Sequence, residues 1–245
     1  MPRLDLNALF AWLDHLKGKT YIYLVEPSLK EAQYFRHMEL DNHLLRAAAS
    51  YWDPITHVFL FGEVEISPLF EEFSSIMGIS TDDNDAPLLP IPQPGYVKQL
   101  AKMLNFPRSA AKALISNGEV NVAQIASHFH HNTIMWCEGY REALVLCIAC
   151  QFAFSSRSHS IIPLIPAMLE RQNPMAICLA ETLMGLDEAH TQETTLLRGS
   201  PYILQIWLWK RLHIIKGPKN FLHYSFPHRR TVSIHFHSFE EWRTW

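Results

Sequence analysis

His57-Val58-Phe59-Leu60-Phe61-Gly62-Glu63-Val64-Glu65-Ile66, followed at once by Ser67-Pro68-Leu69-Phe70-Glu71-Glu72-Phe73-Ser74-Ser75-Ile76-Met77-Gly78, is the stretch whose reading decides the fold. Its first ten residues alternate imperfectly around a glycine, which predicts a small β-hairpin over 57–66. Ser67 then stands as an N-cap with Pro68 at the first helical position. Glu71 and Glu72 suit the positive end of the helix that follows. Leu69, Phe70, Phe73, Ile76 and Met77 recur at helical spacing and supply a buried face, and Gly78 ends the run. That face is expected to pack on the preceding helix, which Asp41 caps and which carries Leu44, Leu45 and Ala48 toward Trp52.

Working outward, helical punctuation dominates. Leu6, Leu9, Phe10, Leu13 and Leu16 recur at three- and four-residue spacing before Gly18, residues 21–25 read as a short strand, and Ser28 with Glu31 forms a capping box. Residues 80–95 break the pattern: Asp82, Asp83 and Asp85 precede Pro87, Pro90, Pro92 and Pro94, a spacing no regular helix survives. Helices are expected again over 96–104, 108–115, 122–129 (capped by Asn121 with Gln124) and 133–154. Others should begin near Pro163, Asn173-Pro174 and Ser200-Pro201. Residues 231–236 alternate weakly as a strand, and Ser238 with Glu241 opens a capping box four residues before Trp245. The expectation is a mainly α, multi-helix globular domain over 1–245 with one small β-hairpin near 57–66. It has an acidic, proline-rich internal loop at 80–95 and a helix cut short at the C-terminus.

Composition agrees with a packed domain. Hydrophobic residues make up 48% and charged residues 18% of 245, which excludes general disorder. Four cysteines exclude a disulfide scaffold and suit buried thiols in a reducing interior. Asp5, Asn7 and Asp14 interrupt any signal-peptide core. The longest apolar run, 143–154, is short of the roughly twenty residues a membrane span needs.

Chemistry-bearing constellations are sparse. His128, His130 and His131 cluster, yet residues two apart on a helix diverge, and neither an HExxH pattern nor an acidic third ligand accompanies them. Cys147 and Cys150 form a CxxC inside an apolar helix, where thiols are neutral core residues rather than a redox pair. Phosphate-loop, dinucleotide and nucleophile-elbow glycine motifs do not occur in the sequence. Capping and solvation account for Glu71-Glu72, Asp82-Asp83 and Glu240-Glu241. Trp207 shares a helix face with Ile203 and Leu204; Trp209 is rotated into a second layer. The reading therefore assigns no catalytic, cofactor-binding or metal-ligating residue.

One charge feature stands out. From Thr194 to Phe239 there is no acidic residue, while Arg198, Lys210, Arg211, Lys216, Lys219, Arg229 and Arg230 carry seven positive charges. The last six residues net −1, so residues 1–193 carry −9 to give the overall −3. Lys210, Arg211, Lys216, Lys219, Arg229 and Arg230 are the candidate contacts for an anionic partner. The competing expectation is an internal clasp of this segment on the acidic body.

Several blocks together resemble a known family. Trp52-Asp53-Pro54-Ile55-Thr56-His57-Val58-Phe59, the helix Leu69-Phe70-Glu71-Glu72-Phe73-Ser74-Ser75-Ile76-Met77-Gly78, and Gly199-Ser200-Pro201-Tyr202-Ile203-Leu204-Gln205-Ile206-Trp207 resemble the aminotransferase-like plant mobile domain. Phe239-Glu240-Glu241-Trp242 looks like a further block of it. The resemblance implies a transposon-related, nuclear protein acting as a non-enzymatic interaction module with a protein partner. Alternatives are a nucleic-acid-binding protein working through residues 198–230 and an enzyme dependent on pyridoxal phosphate or a metal. For the enzyme, no motif singles out a Schiff-base lysine among Lys98, Lys102, Lys112 and Lys210.

Overall fold

The structure, a computed structural model, describes residues 9–11, 35, 38–77, 95–131, 139–154, 160–161, 175–192 and 197–212. These are mainly helical, as expected, and buried apolar side chains from Leu9 to Leu212 gather in one contiguous cluster. Residues 21–25, 28–31, 231–236 and 238–241, the loop before Gly95, and the helix starts at Pro163 and Asn173-Pro174 lie outside the described residues.

Helix α1, Asn42–Ser50, is capped by Asp41, whose carboxylate accepts from the His43 and Leu44 amides at 3.0 and 2.9 Å. The expected hairpin is the core of a three-stranded antiparallel sheet. Strand β2, Val58–Phe61, pairs with β3, Val64–Ile66, placing Phe59 opposite Ile66 and Phe61 opposite Val64. Gly62, with φ +65°, opens the two-residue turn between them. The additional strand is β1, Trp52–Asp53, set antiparallel so that Trp52 faces Phe59. Alternation puts Phe59 and Phe61 inside and Leu60 outside.

Helix α2, Phe70–Ile76, starts later than Ser67-Pro68 implied. Leu69 occupies the cap position and is half-exposed rather than buried, while Phe70, Phe73 and Ile76 are buried as expected. Their partner differs from the expectation: α2 lies mainly against α7, Met175–Gln192, and α8, Pro201–Arg211. Helix α1 packs on the same two helices, so α7 and α8 form the central layer that both share.

A second three-stranded sheet was not expected. Helix α3, Tyr96–Met103, is followed by α4, Arg108–Ala113, which stops short of Ile115. There the chain turns into β4, Ile115–Ser116, and β5, Glu119–Asn121, with β6, Ser160–Ile161, completing the sheet. Asn117 and Gly118 link β4 to β5 at φ +52° and +77°, the backbone a two-residue type I′ turn demands. Helix α5, Val122–His131, begins where Asn121 accepts the Gln124 amide at 3.0 Å, as its capping pattern predicted.

Of the expected long helix over 133–154, residues 133–138 lie outside the described residues, and a helix starts at Tyr140. Gly139 precedes it at φ +87°, and a side-chain carbon there would lie 2.3 Å from the Leu104 carbonyl oxygen. Only glycine tolerates both conditions. Helix α6, Tyr140–Ile148, then widens into a π-helical turn, Ala149–Ala153. Among the described residues no helix is long and apolar enough to cross a membrane.

Candidate functional site

The sequence blocks that carry the resemblance come together in space, and the polar groups at their junction define the site. In α2, Glu72 lies on the stripe of Phe73 and Ile76 and is fully buried. Its Oε2 accepts the Leu69 amide at 3.0 Å and the Trp207 Nε1–H at 2.7 Å. Its Oε1 meets the guanidinium of Arg211, itself 8% exposed. Trp207 and Arg211 are four residues apart on α8 and so share one helix face. The Trp207 ring also stacks on Phe59 of β2, centroids 5.7 Å apart. Strand, capping helix and tryptophan helix are thereby joined through one carboxylate.

The start of α8 is fixed as tightly. Ser200 caps it, accepting the Ile203 amide at 3.1 Å while its hydroxyl donates to the Phe152 carbonyl, and Pro201 opens the helix as its sequence predicted. Thr182 on α7 accepts the Ser200 amide at 2.9 Å. Gly199, at φ +81°, has no room for a side chain, since a Cβ would stand 2.4 Å from the Thr182 nitrogen. One turn into the helix, Gln205 accepts the Asp41 amide at 2.7 Å and donates to the Glu39 carbonyl at 2.9 Å, anchoring the chain just ahead of α1.

A second node lies nearer the surface. Asp187 of α7 accepts the Trp52 Nε1–H at 2.7 Å and sits 3.3 Å from His57 Nε2. The His57 ring stacks over Trp52, centroids 5.9 Å apart, from a residue held at φ +53°. Asp53 accepts the Thr56 hydroxyl at 2.5 Å and the Ile55 amide at 3.0 Å. The Thr56 hydroxyl bond, first, and then the amide hold the Asp53 carboxyl below its ordinary value. The histidine and carboxylate form a paired dyad, but the neighbouring hydroxyl of Thr56 is given to Asp53 and not to the imidazole.

The structure divides the predicted basic contacts. Lys210 is exposed at the end of α8. Arg211 corrects the expectation of an external anionic contact: its anion is the buried Glu72 of this chain. Arg198, counted in the same acid-free segment, is held by Glu181 at 2.5 and 3.1 Å and by Glu188 at 3.1 Å. Lys216, Lys219, Arg229 and Arg230 lie outside the described residues. Glu72 caps α2 as expected, accepting the Leu69 amide, but it corrects the expectation of a solvated acid, because the carboxylate is fully buried. Its position on the apolar stripe of α2 was the available signal, since an acid there requires a buried cation.

Trp207 is fully buried, and Trp209 is half-buried against the core, in the second layer that its rotation on the helix predicts. Cys147 and Cys150 are core thiols. Burial pushes Cys147 up, and burial first, then Glu119, pushes Cys150 up to about 12. Cys178 is buried as well, its thiol donating to the Ala153 carbonyl at 3.0 Å. His128 stands edge-on to Phe106 and Phe129. Among the described residues no group of three histidine, cysteine or acidic side chains is placed to hold a metal.

No curated protein and no solved structure matches the chain. A family match does cover most of it, from residue 33 to residue 222, which includes both nodes and all three blocks that meet at them. The chain belongs to the family described as domain of unknown function (DUF7745).

Proposed function

We propose that this chain is a non-enzymatic interaction module of the plant mobile domain kind, related to transposable elements and working with a protein partner in the nucleus. The relation to mobile elements and the nuclear setting come from the sequence blocks quoted above. The observation that carries the reading is the Glu72–Trp207–Arg211 junction, where the charged and polar groups of those blocks are spent on one another. A carboxylate already holding an amide, an indole and a guanidinium serves to dock elements, which is what a rigid binding scaffold requires. The alternative of nucleic-acid binding through residues 198–230 is weakened, since Arg198 and Arg211 already face internal carboxylates.

The test is affinity purification of the tagged full chain from plant nuclei after mild cross-linking, with and without nuclease. The reading predicts one protein recovered in near-equal amount under both treatments. Recovery that disappears with nuclease overturns it in favour of the nucleic-acid alternative. A visible absorbance band on adding pyridoxal phosphate, or stoichiometric metal by elemental analysis, overturns it in favour of the enzyme.

A further inference from the structure

Asn117 and Gly118 are the only asparagine–glycine pair in the sequence. The structure sets both at the exposed tip of the β4–β5 hairpin. The asparagines among the described residues are Asn42, Asn105, Asn117 and Asn121, and all but Asn117 are restrained by what surrounds them. The amide that follows Asn42 donates to the Asp41 carboxylate at 3.0 Å. The amide that follows Asn105 donates to the Ala101 carbonyl at 2.8 Å and belongs to a bulky residue, Phe106. Asn121 has its own Oδ1 on the Gln124 amide at 3.0 Å, and β-branched Val122 comes next. Asn117 has none of these restraints. Among the described residues neither its carboxamide nor the Gly118 amide has a hydrogen-bond partner. Gly118 has no side chain to hinder approach to its nitrogen. Beyond its chain neighbours, no described atom lies within 4 Å of where its Cβ would stand.

We infer that Asn117 is a site of spontaneous covalent modification, at which the Gly118 nitrogen closes a succinimide on Asn117 Cγ and water reopens it to aspartate or isoaspartate. Hydroxide takes the proton of the Gly118 amide, and the nitrogen forms a bond to Cγ. The bond from Cγ to Nδ2 then breaks, and ammonia leaves. Water opening the ring between Cγ and the Gly118 nitrogen gives aspartate. Opening between the Asn117 carbonyl carbon and that nitrogen gives isoaspartate, with the chain continuing through Cγ. The attack is intramolecular, so it carries no cost of bringing two molecules together. The turn sets its rate, because the Gly118 nitrogen reaches Cγ only when the hairpin tip opens. Strand β4 is two residues long, lies at the sheet edge and pairs with β5 alone, so few hydrogen bonds oppose that opening. The two products differ in consequence. Aspartate before glycine suits the same type I′ turn. Isoaspartate adds a backbone carbon that a two-residue turn cannot absorb. It should break the Ser116–Glu119 register and the bond from the Asn121 amide to the Leu114 carbonyl, 2.8 Å in the intact chain. Asn121 caps α5, so the damage passes from the turn to the helix. This site is independent of the protein-partner reading above.

The test is incubation of the folded full chain in warm, mildly alkaline buffer. Peptides are then mapped by mass spectrometry, and isoaspartate is counted by enzymatic methylation with a labelled methyl donor. Asn117 should lose its amide before Asn42, Asn105 and Asn121, with isoaspartate the larger product. The loss should be several-fold faster in denaturant, where the turn no longer gates it. Asn117→Gly keeps a sequence that a type I′ turn accepts and should remove the methylation of the peptide that carries residue 117. In the isoaspartate fraction the Asn121 amide should exchange with deuterium faster than in the unmodified chain. The inference is overturned if Asn117 keeps its amide as long as Asn42, Asn105 and Asn121 do, if methylation of that peptide persists in Asn117→Gly, or if the isoaspartate form protects the Asn121 amide as well as the intact chain does.

Discussion

The carboxylate of Glu72 and the guanidinium of Arg211 pair inside the protein, with side-chain exposures of 0% and 9%. Such a pair contributes little net stability by itself, because desolvating two charges offsets most of their attraction. Its effect is on specificity, since any other docking of α2 on α8 would leave a charge buried alone. Trp207 supplies the second donor, so the helix that presents the cation also presents the hydrogen bond that orients the acid.

Removing that donor should be felt even where an aromatic ring is kept. Trp207→Phe is expected to cost about 2–4 kcal/mol, from lost packing against Phe59 and a weakened shell around Glu72. Urea unfolding of wild type and variant measures it. A loss below about 1 kcal/mol would mean that the indole N–H is not engaged with a buried carboxylate.

Truncation of Phe73 tests the packing of α2. Phe73 is fully buried, and Phe73→Ala should cost about 3–5 kcal/mol in the same assay. Phe70, at the edge of the same face with 8% exposure, should cost less on truncation.

Much of this architecture was legible in the sequence. Capping logic placed Asp41, Asn121 and Ser200-Pro201, because a cap is decided by residues within one turn. The hairpin centred on Gly62 was legible for the same reason. What local reading missed depends on distant partners. Strand β1 exists because Trp52 and Asp53 find Phe59 and Val58, and two residues carry no periodicity of their own. The partner of α2 was misassigned because a buried stripe states that it is covered but not by what. The β4–β5 hairpin is different: Asn117-Gly118 is a strong local turn signal, and the apolar helical pattern around it hid it. Glu72 was read as a capping or solvated acid and Arg211 as a candidate outward contact, because each finds its ionic partner on an element distant in sequence, which local reading does not name.

The thiols should be inert in the folded chain. Burial raises the pKa of Cys147, Cys150 and Cys178, so each is neutral at pH 7 and shielded as well. In a Cys137→Ser background a thiol reagent should label none of them within minutes under native conditions and all three in denaturant. Rapid native labelling of Cys147 or Cys150 would contradict their placement in the core.

Asp53 sets a pH dependence of known sign. Its pKa in the fold is below the ordinary 3.8, chiefly through the Thr56 hydroxyl. A carboxyl depressed by folding contributes stability that is fully present above the unfolded value and is lost as pH falls through the folded one. The melting temperature of wild type should therefore exceed that of Asp53→Asn by a constant margin from neutral pH to about pH 5, and the margin should shrink below about pH 4. A margin that widens on acidification would reverse the assignment.

The central claim is that Glu72 and Arg211 are coupled partners joining α2 to α8, and a double-mutant cycle measures it most directly. Glu72→Leu and Arg211→Met should each cost about 3–5 kcal/mol alone, since each leaves an opposite charge buried without its partner. The double variant should cost far less than their sum, giving a coupling of about 2 kcal/mol or more in denaturant unfolding. Additive losses, with a coupling below about 0.5 kcal/mol, would show that the two residues do not meet in the core and would contradict the account.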